Sequence, residues 1–154
     1  MKNNNTEIGE KEYLKSLGSL LHSSHVRDWR DDCIISPLGN NQNLLYSLDR
    51  PEQIFSFDDK DYALRCFGRW SAALVANDVI ACGAAPRGIS FDIGVDELDA
   101  PAIPTWAQGV LDVCQEYRMR YEGGNLGIGK GITGMAWGIQ TEDKTLRRHG
   151  ARDG

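Results

Sequence analysis

The sequence predicts an α+β fold in which a mixed β-sheet carries helices packed on one face. Short apolar runs with strand-like alternation are bounded by turns rich in asparagine and glycine. Two longer segments have helical apolar spacing and end at glycines. The predicted order is β-β-α-β-α-β, which is typical of α+β domains, and 154 residues suffice for one domain with a substantial core.

The first two strands are predicted to form a hairpin. Residues 33–38 have the composition of a strand, and residues 43–48 that of its return partner. Between them lies Gly39-Asn40-Asn41-Gln42, a turn sequence because asparagine and glycine tolerate positive φ. Before the hairpin, residues 1–11 are predicted to be a flexible polar tail and residues 13–22 a short helix.

A long helix is predicted over about residues 59–82. Asp58 or Asp59 is suited to cap its start, because a carboxylate there accepts from the free N–H groups of the first turn. Gly83, followed by Pro86, is suited to end it.

The remaining elements follow from alternation and from prolines. Residues 88–94 alternate apolar and polar side chains, as in a strand with one buried face. Pro101 and Pro104 open a second helix, which is predicted to end at Gly123-Gly124. Residues 132–140 are the predicted fourth strand.

Composition excludes several classes of function. The net charge is −5, so a generic binder of nucleic acid or of acidic membranes is not expected. No apolar run approaches the roughly 20 residues that span a bilayer. The four cysteines are widely spaced, without a C-x-x-C motif, which indicates reduced thiols in a cytoplasmic protein rather than disulfides or a zinc site.

Asp78 is the most informative residue. It lies within residues 72–84, which are apolar almost throughout, and on a helix Leu74 and Val75 lie one turn before it and Cys82 one turn after. Its carboxylate therefore projects from the core-facing side, where an unpaired charge is costly or takes up a proton. We expect a cation to compensate it; the alternative is a capping or structurally paired aspartate.

The hairpin predicts an acidic cluster. With Asn40-Asn41 as a two-residue turn, Gly39 opposes Gln42 and, in the same register, Asp32 opposes Asp49. Like charges opposite one another are unfavourable unless a cation lies between them. With Asp31 adjacent and Asp78 on the packed helix, these carboxylates form a plausible Mg²⁺ site. The alternative is that they are solvated residues at strand ends.

Other candidate binding motifs lack the neighbouring residues or elements that their function requires. Residues 124–130 fit the first seven positions of a Walker A loop, but Gly131 stands where Ser or Thr should follow, and the next segment resembles a strand. Residues 129–134 match G-x-G-x-x-G with the same fault. His22 and His25 have no acidic or cysteine partner at ligand spacing, so a surface pair is expected.

Five segments in order resemble the N-terminal domain of the aminoimidazole ribonucleotide synthetase superfamily, and most closely its thiamine-monophosphate kinase branch. They span about residue 12 to the end of the chain, and the segment from Asn77 to Pro86 is the most specific of them. The matching segments are Asp31-Asp32-Cys33, Ser47-Leu48-Asp49, Asn77 to Pro86, Gly123-Gly124-Asn125 and Arg148 to Gly154.

The resemblance implies an ATP- and Mg²⁺-binding domain over residues 12–146, with residues 147–154 beginning a linker to an absent C-terminal domain. It implies a domain that pairs with its twin through the sheet, with ATP near that interface. It also implies phosphoryl transfer from ATP to a small acceptor, which needs no protein nucleophile. The metal set is Asp31, Asp32, Ser47, Asp49 and Asp78, and the nucleotide set is Gly123, Gly124, Asn125 and Arg148.

The departures from the family pattern leave alternatives open. Asn125 stands where the family has a metal-binding Asp, and Ser56-Phe57 stands where the kinase branch has His-Phe. Thiamine phosphate as the acceptor is therefore in question. The alternatives are a non-catalytic nucleotide-binding or dimerisation module, and a regulatory partner of a separately encoded C-terminal half.

Overall fold

The computed structural model describes residues 31–54, 56–94 and 101–150, which all belong to one compact unit. The predicted tail over residues 1–11, the predicted helix over residues 13–22 and the pair His22 and His25 lie outside the described residues.

The described residues form a five-stranded mixed sheet and two α-helices. The spatial order of the strands is β1-β2-β5-β3-β4, with β3 and β4 parallel and the other neighbours antiparallel. The α+β class is confirmed. The strands are β1 (Ile34–Gly39), β2 (Gln42–Asp49), β3 (Pro86–Gly94), β4 (Arg120–Gly127) and β5 (Ile132–Thr141), and the helices are α1 (Lys60–Ala81) and α2 (Ile103–Tyr117).

Both helices cover the same face of the sheet. Leu45 of β2, Phe91 of β3 and Val75 of α1 are fully buried between the layers. Trp106 of α2 meets Phe91 edge to face, with ring centroids 5.0 Å apart. Its indole N–H donates to Ser71 Oγ at 3.2 Å, so the buried ring leaves no polar atom unpaired.

The ends of α1 are those that the sequence predicts. Asp59 is the N-cap, and its carboxylate accepts from the Tyr62 backbone N–H at 3.0 Å. Gly83 follows the helix with a φ of +88°, a conformation that a glycine adopts without strain. Between these two ends, Asp78 lies in the last turn of the helix.

The opposite face of the sheet, here called the open face, is also apolar over β1, β2 and β5. Ser47 donates its hydroxyl to the Val75 carbonyl of α1, so odd-numbered residues of β2 face the helices and even-numbered ones face away. Among the described residues, no helix covers this open face. It carries Ile34, Leu44, Tyr46, Leu48, Met135 and Trp137.

The hairpin turn is confirmed, but the predicted pairing of Asp32 with Asp49 is wrong. Asn40 and Asn41 have φ values of 52° and 58°, and Gly39 pairs with Gln42. Between Pro37 and Gly39 a β-bulge then shifts every further pair by one residue. The ladder ends where Ile34 pairs with Tyr46, before it reaches Asp32. A bulge depends on how the two strands pack, which local composition does not reveal.

The second correction concerns the segment after α2. The helix ends at Tyr117 with Arg118 in the left-handed conformation, and Gly123-Gly124 lie inside β4 rather than at the helix end. The sequence did not predict this strand, because it is rich in glycine, mostly exposed and lacks alternating apolar and polar side chains. A Cβ on Gly124 would overlap the Phe91 carbonyl oxygen of β3, so close strand approach requires a glycine here.

Candidate functional site

Asp78 is partly buried between two fully buried valines, Val75 and Val79. Burial raises the pKa of Asp78, and the negative charges of Asp49 and Asp32 raise the pKa further, while the positive charge of Arg148 lowers it. The three carboxylates come from the end of α1, the end of β2 and the segment before β1. Asp49 and Asp32 are thus close enough to Asp78 for their charges to act on it, despite their separation along the chain.

Ser47 and Asp49 lie near the end of β2 on its helix-covered side. The Ser47 hydroxyl is buried and donates to the Val75 carbonyl at 2.9 Å. Asp49 accepts from the Arg50 backbone N–H at 2.8 Å and is partly exposed. The serine therefore ties β2 to α1, and this tie holds Asp49 beside the last turn of the helix.

Asp31 and Asp32 both bind an arginine doublet near the end of the described chain. Asp31, whose side chain is 2% exposed, accepts from Arg147 Nη1 at 2.9 Å and from the Arg148 backbone N–H at 3.0 Å. Asp32 accepts from Arg148 Nε at 3.1 Å and also from its Nη2. Arg148 is thus the cation that the acidic cluster contains.

The donor chemistry of the cluster suits Mg²⁺. Within the described part of the chain, no three Asp, Glu, His or Cys side chains are grouped closely enough to hold a metal ion. Mg²⁺ commonly binds through one or two carboxylates, keeps several waters and shares the remaining positions with substrate phosphates. One or two of the carboxylates of Asp32, Asp49 and Asp78, rather than all three together, could therefore hold such an ion.

The glycine segment lies on the far edge of the sheet. Asp49 pairs with Gly134, Gly134 with Phe91, and Phe91 with Gly124, so one row of residues links them across four strands. Three strand spacings separate Asp49 from Gly124 by about 14 Å. Within one chain, Gly123, Gly124 and Asn125 therefore do not contact the carboxylates.

Asn125 is paired with another side chain. Its Nδ2 donates to Asp92 Oδ1 at 2.9 Å across the parallel pair β3–β4. Asp92 alternates with the buried Phe91 and Ile93, which places this pair on the open face. Sequence reasoning missed Asp92, although the alternation of β3 already marks it as a polar residue away from the core.

The glycine loop between β4 and β5 does not form a phosphate-binding helix start. Residues 128–131 connect two strands, so neither the Walker A match nor the G-x-G-x-x-G match has the helix that it requires. Both are excluded, as the sequence context predicts.

Comparison with known proteins places the chain in a family. The model of AIR synthase related protein, N-terminal domain, matches residues 30–139, which is most of the chain. The chain belongs to the AIR synthase related protein family. Among curated proteins, none matches this chain.

Solved structures share the fold of this AIR synthase related chain. One, described as AaThiL complexed with AMPPCP and TMP, has a TM-score of 0.75 at 24% identity over 96% of this chain and 47% of that chain. The thiamine monophosphate kinase from Aquifex aeolicus has a TM-score of 0.65 at 21% identity over 96% and 48%. T. maritima PurL complexed with ADP has a TM-score of 0.57 at 15% identity over 78% and 20%.

The AIR synthase related chain spans about half the length of the kinases that share its fold. Among its described residues, no helix combines the length and hydropathy needed to cross a membrane.

Arg147 is the residue at this site that sequence reasoning missed. It binds a buried carboxylate 116 positions away, and nothing local to Arg147 indicates that pairing. The available signal is the match between an acidic doublet, Asp31-Asp32, and a basic doublet, Arg147-Arg148.

Proposed function

We propose that the chain is the ATP- and Mg²⁺-binding domain of a thiamine-monophosphate kinase-like, AIR synthase related enzyme. The enzyme transfers a phosphoryl group from ATP to a small-molecule acceptor when the second half of the molecule is supplied. One observation carries the proposal: the charges of Asp32, Asp49 and Arg148 all act on the partly buried carboxylate of Asp78, so these side chains from separate segments lie near one another. Family membership supports it, as does a fold shared with a kinase structure described as holding AMPPCP.

The carboxylates take the metal-binding role. Asp32, Asp49 and Asp78 offer hard oxygens. Asp31 and Ser47, the other members of the metal set that the resemblance implies, are engaged elsewhere, Asp31 by Arg147 and Arg148 and Ser47 by the Val75 carbonyl. When bound, Mg²⁺ neutralises phosphate charge and orients the transferred group. Aspartates that repel one another in its absence favour its binding.

The nucleotide set is Gly123, Gly124, Asn125 and Arg148. The Arg148 guanidinium suits phosphate oxygens, because its planar array of N–H groups forms two parallel hydrogen bonds. Since Asn125 lies on the open face, a dimer paired through that face would bring it to the interface where ATP is expected. No side chain is assigned as a catalytic nucleophile or base, because positioning and charge neutralisation supply most of the catalysis in phosphoryl transfer.

The acceptor is proposed only as a small molecule. Ser56 stands where the kinase branch has a histidine, so this chain departs from the thiamine phosphate loop of its relatives. The proposed partner of this domain is a second domain or a separately encoded C-terminal half, since the chain spans about half the length of the kinases that share its fold.

Calorimetry tests the proposal directly. The chain should bind the non-hydrolysable analogue AMPPCP in the presence of Mg²⁺ and bind it at least tenfold more weakly in EDTA. Magnesium-independent affinity, or no binding by a folded protein, would contradict the proposed function.

The second candidate is a non-catalytic nucleotide-binding or dimerisation module. The hydrogen bond from Asn125 to Asp92 favours it, because the residue at the family's metal-binding position is engaged with a neighbouring strand. Phosphoryl transfer from ATP to any small acceptor by the chain, alone or with a C-terminal half, would exclude this second candidate.

A further inference from the structure

The arginine doublet Arg147-Arg148 and the acidic doublet Asp31-Asp32 form two ion pairs that differ in burial. The pair of Asp31 with Arg147 is buried on the acidic side, where Asp31 is 2% exposed. The pair of Asp32 with Arg148 is open to solvent, with side chains 32% and 65% exposed. Breaking a buried pair leaves an uncompensated charge, whereas an exposed pair exchanges readily.

The segment that carries Arg147 and Arg148 is fixed to the body of the fold. The Leu146 N–H donates to the Cys82 carbonyl at 3.0 Å, just beyond the end of α1. Thr145 accepts from Asn43 of β2 at 3.2 Å. Asp31 then holds the Arg147 side chain and the Arg148 N–H with both of its oxygens. The Arg148 guanidinium, by contrast, is held through a single solvent-exposed partner, Asp32.

This guanidinium occupies the carboxylate that the proposed metal needs. Arg148 Nε and Nη2 both donate to Asp32 Oδ1. An arginine and a divalent cation compete for one oxygen, since each neutralises the same negative charge.

We propose that Arg148 is a resident cation that neutralises Asp32 until Mg²⁺ displaces it, and that Asp31 is the positioning residue that keeps Arg148 beside the site. This inference rests on the proposed function. It assigns Asp31 a task other than metal binding, because both of its oxygens hold the arginine segment. With Asp32 taken up by Mg²⁺, the Arg148 guanidinium would be free to donate to phosphate oxygens of a bound nucleotide.

Calorimetric titration with Mg²⁺ alone, without nucleotide and at 0.15 M salt, tests the resident cation. Removing the competing charge by Arg148→Gln should tighten Mg²⁺ binding about twofold to fivefold, the size expected for an exposed ion pair. Arg50→Gln is the matched control, because Arg50 follows Asp49 directly but does not pair with Asp32. Its Mg²⁺ affinity should rise by less than about twofold, since Arg50 does not neutralise the Asp32 carboxylate that the metal would need.

A double-mutant cycle tests the role of Asp31. In an Asp31→Asn background Arg148 is no longer held on Asp32, so adding Arg148→Gln should not tighten Mg²⁺ binding further. A merely structural Asp31 would leave the effect of Arg148→Gln unchanged, and that result would overturn the positioning role. Should Asp31→Asn fail to fold, Arg147→Gln replaces it in the cycle, because it removes the side-chain half of the clamp and leaves only the bond from the Arg148 N–H to Asp31.

The outcomes separate the two proposals. If native protein binds Mg²⁺ but Arg148→Gln binds it equally or more weakly, the resident-cation inference falls and the proposed function stands. If Arg148→Gln and Arg50→Gln tighten Mg²⁺ binding equally, the inference is also overturned, because the gain then comes from the change in net charge and not from the release of Asp32. If native protein binds no Mg²⁺ with or without AMPPCP, the proposed function falls and this inference falls with it.

Discussion

The carboxylate of Asp78 lies in the last turn of α1, where the free carbonyl groups of the helix already concentrate negative charge. That turn contains no basic residue. Burial and the charges of Asp49 and Asp32 raise the pKa of Asp78 as well. A charge kept against three unfavourable influences is typical of a binding residue rather than of a structural one.

Replacing Asp78 by asparagine should therefore stabilise the metal-free protein. A carboxyl whose pKa is raised by folding holds its proton more tightly in the fold, so ionised Asp78 weakens the fold at neutral pH. In EDTA at pH 7, Asp78→Asn should raise the free energy of unfolding by on the order of 1 kcal/mol. The gain should shrink as the pH falls towards the ordinary value of 3.8, where Asp78 becomes neutral too.

The matched control is Asp61→Asn, in the first turn of α1, where a negative charge is favourable. It should lower the free energy of unfolding by roughly 0.3–1 kcal/mol, a shift opposite to that of Asp78→Asn. Urea titrations of both variants measure the two shifts. Loss of stability in Asp78→Asn at pH 7 would show that the carboxylate is a structural partner.

Although Asp78→Asn should stabilise the metal-free protein, it should weaken ligand binding. Asp78→Asn removes a hard oxygen ligand, so the affinity for AMPPCP with Mg²⁺ should fall about tenfold or more while the circular dichroism spectrum stays native. Asp61→Asn, in the first turn of α1 and so at the opposite end of the same helix, should bind like native protein. An affinity unchanged by Asp78→Asn would remove the residue from the proposed site.

Sequence reasoning reached Asp78 because its helical neighbours are apolar, and that pattern is local. It did not reach Arg147, whose partner is distant in the chain. It reached Asp31 and Asp32 as a doublet but did not separate their roles. The separation comes from burial, since Asp31 is enclosed and Asp32 is open.

At the scale of elements, α1 and the hairpin turn were predictable and the bulge and β4 were not. Asp59, Gly83 and the Asn40-Asn41 turn have strong intrinsic preferences, so their structure follows from local sequence. The bulge after Pro37 and the pairing of β4 with β3 depend on contacts between strands. Because the register is shifted, the hairpin ladder does not place Asp32 opposite Asp49. The carboxylate on which both of their charges act is instead Asp78 of α1.

The close contact of β4 with β3 predicts a specific weakness at Gly124. A Cβ there would overlap the Phe91 carbonyl oxygen, and its φ of +153° is unfavourable for alanine. Gly124→Ala should lower the free energy of unfolding by about 3 kcal/mol or more. Gly123→Ala, with a φ of +94° and open space around the added atom, should lose only about 1–2 kcal/mol. Equal losses in denaturant titrations would contradict this account of β4.

At the scale of the whole molecule, the sequence predicted the α+β class, the covered face and the family. It did not predict that the carboxylates and the glycine segment lie about 14 Å apart on one chain. Their separation follows from the strand order, which places β4 at one edge of the sheet and β1 at the other. The apolar open face between these edges makes pairing of two chains the expectation at this scale.

We expect a dimer formed through the open face at micromolar concentration. Leu48 on this face is 58% exposed, and Leu48→Glu should place a charge in the interface and yield a monomer. Leu111 of α2 is 45% exposed on the helix side, so Leu111→Glu should leave the dimer intact. Light scattering distinguishes the two. A monomeric native protein, or a dimer that survives Leu48→Glu, would contradict pairing through this face.

The central claim is that acidic side chains from separate segments share one divalent cation. The most direct measurement is an anomalous difference map from crystals grown with Mn²⁺, which favours the same oxygen ligands as Mg²⁺. The account predicts one peak in contact with carboxylate oxygens of at least two of Asp32, Asp49 and Asp78, with the Arg148 guanidinium moved off Asp32. No peak there in a well-ordered crystal, with Arg148 still on Asp32, would contradict it.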